Sequence, residues 1–354
     1  MIKKIVYTFS IVIFILTGLE LGVRLLINDG IWKRRMSSDL WQADEEIGWT
    51  NKSNFSNIFI PILGAVPIIW KTDSNGFQVT NETLDKNQYK ILLIGDSTVA
   101  GSGVEEKDRL HWQILNYLKL GDPSANALII NAGVDGYSTD QEYALLERYV
   151  NLIKPTHILY IYCSNDIDPL NSSDLSGGLR KLRFLDKGDY LEKIPAGTVN
   201  LQSNAGGGVL SLIYQSAFIR LSAVLLKSSF SIEKAQQAKL FPIQDLSKID
   251  ISLYEKILIN MRDLALRGNA RFIMYSHPNP QEIYGSIIND NPFLLENALI
   301  NIANRNGIDF VPMINLFRSN INEGPFQISE FDPHLNSNGY RIQAQELVRV
   351  IIAD

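Results

Sequence analysis

The residues with chemistry in them stand at two distant points of the chain. Ile91-Leu92-Leu93-Ile94 is a fully apolar run that ends in Gly95-Asp96-Ser97, and far downstream lies Asp332-Pro333-His334. A serine hydroxyl is barely ionised at neutral pH. It attacks a carbonyl only when a histidine takes its proton and a third group orients that histidine. The two segments supply all three: Ser97 as nucleophile, His334 as base and Asp332 as the orienting carboxylate. Gly95-Asp96-Ser97-Thr98-Val99 lacks the second glycine of a Gly-x-Ser-x-Gly nucleophile elbow, which sets it apart from that signature. Taken singly, a serine after a strand is as often a helix cap, so the weight rests on the company Ser97 keeps.

The chain has 4 histidines. His111 lies in a helical run, and His157 starts a strand, at the end away from the expected site. His277 follows a strand and competes for the role of base. His334 is preferred because Asp332, two residues away, can accept from its other ring nitrogen and hold the tautomer. Two further segments offer donors for a developing oxyanion. Asn131-Ala132-Gly133-Val134-Asp135-Gly136-Tyr137 follows an apolar strand and leaves glycine N–H groups open. Ser164-Asn165-Asp166 follows another, and its asparagine amide can donate to the same point. One such donor is worth about 3 kcal/mol.

These residues need a frame that brings them together. Strands are expected at Lys90–Gly95, Ala127–Asn131, His157–Tyr162, Arg271–Tyr275 and Asp309–Pro312. Helices are expected at Asp108–Lys119, Thr139–Leu152, up to about Arg267, near Phe293–Asn304 and from Asn338. Such alternation predicts an α/β fold, a parallel sheet with helices on both faces. In that architecture ligands bind at the carboxyl ends of the strands, where Ser97, Asn165 and His277 fall. The rhythm breaks between Asp168 and about Ser247, which holds glycine runs and an apolar segment, Val209–Leu226. That segment is expected to be a helix packed on the core or over the site rather than a second membrane span, given its arginine and serines.

With 354 residues and 45% hydrophobic content, the chain can bury one large α/β core with additions. A net charge of −5 gives no footprint for nucleic acid, and Cys163 is the only cysteine, so neither an internal disulfide nor a cysteine metal cluster is possible. Ile5 to Ile27 is largely apolar and carries no charged residue apart from Glu20 and Arg24. As one helix it spans about 34 Å, enough for a bilayer core. Glu20 and Arg24 stand at i and i+4 and can pair. No small-x-small cleavage site follows, which favours an uncleaved signal anchor over a cleaved signal peptide or a buried helix. Lys3 and Lys4 favour an inside N-terminus, whereas Arg24 and Lys33-Arg34-Arg35 place more positive charge on the far side, so charge leaves the orientation open.

The chain resembles the SGNH/GDSL hydrolases over roughly residues 88 to 354. The first block appears as Gly95-Asp96-Ser97, continuing to Gly101-Ser102-Gly103-Val104. The second runs from Asn131 through Gly136, the third is Asn165-Asp166, and the last is Asp332-Pro333-His334-Leu335-Asn336, followed by Gly339. The resemblance implies a three-layer α/β/α, flavodoxin-like fold. It also implies catalysis by Ser97, His334 and Asp332, and an oxyanion hole from the Ser97 backbone, Gly136 and Asn165. Gly136 is chosen over Gly133 because the family's donor glycine lies five residues after the asparagine. Two departures stand out. Cys163 occupies a place where the family usually has glycine, and Asp-x-His replaces the commoner Asp-x-x-His. The second variant, the anchor ending in Leu19-Glu20-Leu21-Gly22-Val23-Arg24, and Thr72-Asp73-Ser74-Asn75-Gly76-Phe77 are similar to the family's membrane-anchored members. That likeness favours an enzyme domain outside the cytoplasm.

The expected organisation is an anchor and juxtamembrane segment over 1–35, an irregular extension with short strands over 36–88, and a hydrolase domain over 89–354 with an insertion at about 168–246. The expected activity is that of a serine esterase acting on an acyl ester of a carbohydrate or lipid, through an acyl-serine and with no metal or organic cofactor. The alternatives are an O-acyltransferase of the same fold that modifies extracellular polysaccharide, and an inactive binding module. Nothing in the sequence sets the oligomeric state.

Overall fold

A computed structural model describes residues 2–26, 40–59, 68–80, 89–167, 170, 172–175, 179–199, 201, 216–219, 222, 251–278, 280–284, 294–329 and 332–353. The juxtamembrane Lys33-Arg34-Arg35 and most of Val209–Leu226 lie outside them. Helix α1 (Ile2–Leu26) comes first. Two antiparallel hairpins follow, β1 (Trp41–Asp44) with β2 (Gly48–Asn51) and β3 (Ser56–Phe59) with β4 (Ile68–Lys71), and then the short β5 (Gln78–Val79). The central alternation runs β6 (Tyr89–Ile94), α2 (Ser97–Ala100), α3 (Leu110–Gly121), β7 (Ala127–Asn131), α4 (Thr139–Ile153) and β8 (His157–Cys163). Two short hairpins follow, β9 (Asp174–Leu175) with β10 (Leu179–Arg180) and β11 (Arg183–Asp186) with β12 (Leu191–Ile194). The chain continues with α5 (Ile251–Arg267), β13 (Arg271–His277), α6 (Pro280–Tyr284), α7 (Leu294–Asn306), β14 (Asp309–Val311) and α8 (Ile314–Ser319). It ends with β15 (Gln327–Ser329), β16 (Asp332–Leu335) and α9 (Ser337–Ile351).

The main sheet has the order β14-β13-β8-β6-β7-β5, and every pairing is parallel except β5 with β7. Numbered along the chain from β6, the five parallel strands read 2-1-3-4-5, the flavodoxin-like doubly wound order. The side chains explain the layers. Ile91 and Leu93 of β6 enter one core with α3 and α9, whereas Leu92 and Ile94 enter the other with α4 and α5. Strand residues alternate between faces, so both faces need an apolar helix stripe, and each supplies one. Each fully buried leucine or isoleucine contributes roughly 1.5–3 kcal/mol.

The order also creates the site. From β6 the chain moves to β7 on one side, then returns past β6 to β8 on the other. The flanking crossovers leave on opposite faces and open a crevice at the carboxyl end of β6. Ser97 begins there.

The N-terminal hairpins are built into this body. Trp41, Trp49, Trp70 and Phe77 lie in the same buried cluster as α4 and α5, and β5 is the antiparallel edge of the main sheet. The segment after β8 joins them: Leu182 N–H donates to Ile47 O and Ala196 N–H to Glu46 O. The fully buried Lys181 ammonium is paired with Asp140 at the start of α4. Val6–Leu25 within α1 is long and apolar enough to be a membrane anchor or a signal sequence, and none of its most apolar stretch is buried in the protein. Arg24 Nε donates to Glu20 Oε1 at 2.7 Å, as the four-residue spacing predicts. Glu20 also accepts from Ser216 Oγ and the N–H groups of Ala217 and Phe218.

Candidate active site

Strand β6 passes straight into one helical turn. Gly95 permits this because a Cβ there would lie 2.3 Å from Val99 Cγ2 and 3.2 Å from Ile161 O. Asp96, buried, caps α2: its Oδ1 accepts from Thr98 N–H and Thr98 Oγ1, both at 2.8 Å. Gly101 closes the turn in the left-handed region at φ 72°. Ser97 is thereby held half-buried at the first position of α2, where backbone N–H groups have no helical acceptor.

His334 arrives from the far end of the chain. Ser97 Oγ lies 2.7 Å from His334 Nε2, and His334 Nδ1 lies 2.5 Å from Asp332 Oδ1. A proline between polar residues marks Asp332-Pro333-His334 as a short loop. The structure makes it the strand β16, in an irregular antiparallel ladder with β15. Residues two apart on a strand share a face, which is why Asp-x-His spacing suffices. The same Asp332 oxygen also accepts the backbone N–H of His334 at 3.0 Å. The next turn is locked as well. Asn336 caps α9 by accepting from Asn338 and Gly339 N–H, and Tyr340 Oη donates to Thr98 O at 2.7 Å, tying α9 to the Ser97 turn.

Burial disfavours a charged His334. The Asp332 carboxylate, with Asp96 and Asp135 behind it, overrides that and pushes the ring up to about 9. The site therefore favours the imidazolium, the form that a base in a serine triad takes while it holds the serine proton.

His277, the rival base, is the last residue of β13 rather than a loop residue beyond it, because β13 pairs with all of β8 as far as Cys163. Burial pushes it down to about 4, with His334 adding to the effect and Asp96 opposing it. It stays neutral beside the site, and its buried Nδ1 has no partner among the described residues. His111 is fully buried, its Nδ1 3.1 Å from Asn131 Nδ2, and His157 sits at the amino end of β8.

The oxyanion candidates sort differently. Asn165 is exposed, and its Nδ2 donates one hydrogen to Asp96 Oδ2 at 2.9 Å. An amide has two such hydrogens, so the second is left for a ligand. Gly133, the second choice of glycine, is excluded because its N–H donates to Asn131 Oδ1 at 3.0 Å. Its role is close packing: a Cβ there would lie 2.4 Å from Ala100 N. Gly136 is exposed, in the left-handed region at φ 78°, within a turn closed by Tyr137 N–H to Val134 O. Cys163 is extended at φ −115°. Any residue adopts that conformation, so nothing here demands the glycine usual in the family. Among the described residues no cluster of His, Cys, Asp or Glu could hold a metal ion.

Asp96, not among the candidates above, joins the Ser97 turn to Asn165. Its place between glycine and serine was the available signal, since aspartate is a strong N-cap.

No protein-family model matches the chain, and no curated protein does. Solved structures do. The α/β-hydrolase LAE5, from the metagenome of Lake Arreo, Spain, is 12% identical, with 75% of this chain and 96% of that one covered at a TM-score of 0.44. The acetylxylan esterase Axe2 of Geobacillus stearothermophilus is 13% identical, covering 77% of this chain and 98% of that one at a TM-score of 0.43. The acetyl xylan esterase AlAXEase is 15% identical, covering 74% and 100% at 0.43.

Proposed function

We propose that this chain is a serine esterase of SGNH type, anchored by α1 with its catalytic domain outside the cytoplasm. The observation that carries the proposal is the unbroken chain Ser97 Oγ, His334 Nε2, His334 Nδ1, Asp332 Oδ1, with links of 2.7 and 2.5 Å. Ser97 Oγ attacks the ester carbonyl while its proton passes to His334 Nε2. The carbonyl oxygen becomes an oxyanion facing the N–H groups of Ser97 and Gly136 and the second Asn165 amide hydrogen. His334 returns the proton to the leaving alkoxide, and an acyl-serine remains. Water, deprotonated by His334, then releases the carboxylic acid and restores Ser97. The substrate class is an acyl ester of a carbohydrate or lipid. The presence of all three triad groups within hydrogen-bond reach supports an enzyme over a binding module.

The test is hydrolysis of p-nitrophenyl acetate by the full chain in detergent, against Ser97→Ala and His334→Ala, with covalent labelling by a fluorophosphonate. Turnover and labelling of Ser97, both abolished by the substitutions in folded protein, are expected. A folded chain that neither turns over the ester nor takes the label would sink the proposal.

A further inference from the structure

The loop that carries Gly136 is gripped from outside by β2, a strand that lies more than eighty residues earlier in the chain. Asn51 Nδ2 donates to Gly133 O at 2.9 Å, Trp49 Nε1 donates to Asp135 O at 3.1 Å, and Tyr137 Oη donates back to Trp49 O at 2.5 Å. Trp49 is wholly buried, so the Asp135 carbonyl points into the protein, while Gly136 is exposed.

A trans peptide holds its C=O and the following N–H pointing opposite ways. The Asp135 carbonyl and the Gly136 N–H belong to one peptide plane. Pinning the carbonyl inward on Trp49 therefore turns the Gly136 N–H outward. Two peptides earlier the same polarity is visible at both ends: Gly133 O accepts from Asn51, and Val134 N–H donates to Gly95 O of the nucleophile turn. Glycine at φ 78° has little steric barrier to a peptide flip, so without an external grip the plane is free to turn its donor away.

We propose that Trp49 is a positioning residue that fixes the Asp135–Gly136 peptide so that the Gly136 N–H serves as an oxyanion donor. This rests on the esterase reading of the site and adds to it a residue from the N-terminal hairpin. Trp49 touches no reacting atom; it acts through the peptide plane.

The experiment replaces the indole N–H and reads where the loss falls. Trp49→Phe removes the donor and keeps an aromatic ring. Replacement of Trp49 by 3-benzothienyl-alanine removes it while keeping the bicyclic shape, and decides the matter if the phenylalanine variant does not fold. Both are assayed on p-nitrophenyl acetate and on its thionoester, whose developing charge sits on sulfur, a weaker hydrogen-bond acceptor. The expected result is a fall in kcat of roughly 10- to 100-fold on the oxygen ester with KM changed less than about twofold, and a clearly smaller fall on the thionoester. Unchanged kcat, or equal losses on both esters, overturns the role of Trp49 while Ser97-dependent turnover of the unaltered chain leaves the esterase reading standing. Absence of that turnover in the unaltered chain removes both.

Discussion

Raising the pH should switch the site on. His334 accepts the Ser97 proton only as the free base, and the Asp332 carboxylate holds its pKa up at about 9. At pH 7 about one molecule in a hundred then carries the free base. For p-nitrophenyl acetate, kcat/KM should rise close to tenfold from pH 7 to 8, reach about fiftyfold by pH 9, and level about a hundredfold above its pH 7 value by about pH 10. Asp332→Asn removes the charge that overcomes burial, so its limb should fall toward the ordinary histidine value. Its plateau should fall by about 10³–10⁴, because an amide fixes the wrong tautomer. Rates with Ser97→Ala, subtracted at each pH, correct for alkaline hydrolysis. A limb at or below 6.5 in the unaltered chain, or one that Asp332→Asn leaves in place, refutes the ion-pair reasoning. The same pair bears on stability. A folded pKa raised above the unfolded 6.5 contributes stability that is fully present below 6.5 and lost as pH rises to about 9. The shift corresponds to at most about 3 kcal/mol. Ser97→Ala, which keeps the pair, should therefore melt at progressively lower temperature across that window.

Asn165→Ala should lower kcat by about 10²–10³ with little change in KM, read by steady-state kinetics. Asp96→Asn keeps an oxygen for the α2 cap but can set an amide against the Asn165 amide. Its kcat should fall as in Asn165→Ala, and the double variant should lose little more than either single one. Gly133→Ala drives a Cβ to 2.4 Å from Ala100 N and 2.8 Å from Val99 C, which are backbone atoms that cannot swing aside; thermal denaturation should show a marked loss of stability. Lys181→Met strands the buried Asp140 carboxylate and should cost about 3–5 kcal/mol by denaturant titration, most of it recovered when Asp140→Asn is added.

What was legible in the sequence follows the range of the forces involved. The strands of the main sheet announce themselves because a parallel strand is buried on both faces, so Ile91 to Ile94 must all be apolar. Ser97 and His334 were legible as types with a known chemistry, and the doubly wound order explains how residues 237 apart come to share a hydrogen bond. The secondary structure of Asp332–His334 was not legible, since a proline beside polar residues reads as a loop and only pairing with β15 makes it a strand. Gly133 and Gly136 look alike in sequence. They differ in which backbone group each one's neighbours occupy, and that is a tertiary fact. Trp49 was invisible for the same reason: an indole in a short hairpin carries no mark of the carbonyl it will meet 86 residues later.

The polar contacts around Ser97 explain why the site needs elements so far apart in sequence. Thr98, Val99 and Ala100 of the 4-residue α2 are buried and seat the turn in the core, but Ser97 itself is only half-buried. Position must come from groups that reach its backbone and its cap. Asp96 receives Thr98 on one oxygen and Asn165 on the other, so the turn and one oxyanion candidate move as a unit. Thr98 O is held by Tyr340 of α9, the helix that follows the histidine strand, which couples the turn to the base. Gly95 O is held by Val134 N–H, which couples it to the second oxyanion loop, and that loop is held in turn by Trp49 and Asn51. Each contact ends on a buried polar group that costs about 1–3 kcal/mol if left unpaired. The arrangement is therefore stabilised by the same bonds that would give it catalytic geometry, and a substitution at any one of them should move stability and rate together unless, as with 3-benzothienyl-alanine at position 49, it removes a hydrogen-bond donor and keeps the shape of the side chain.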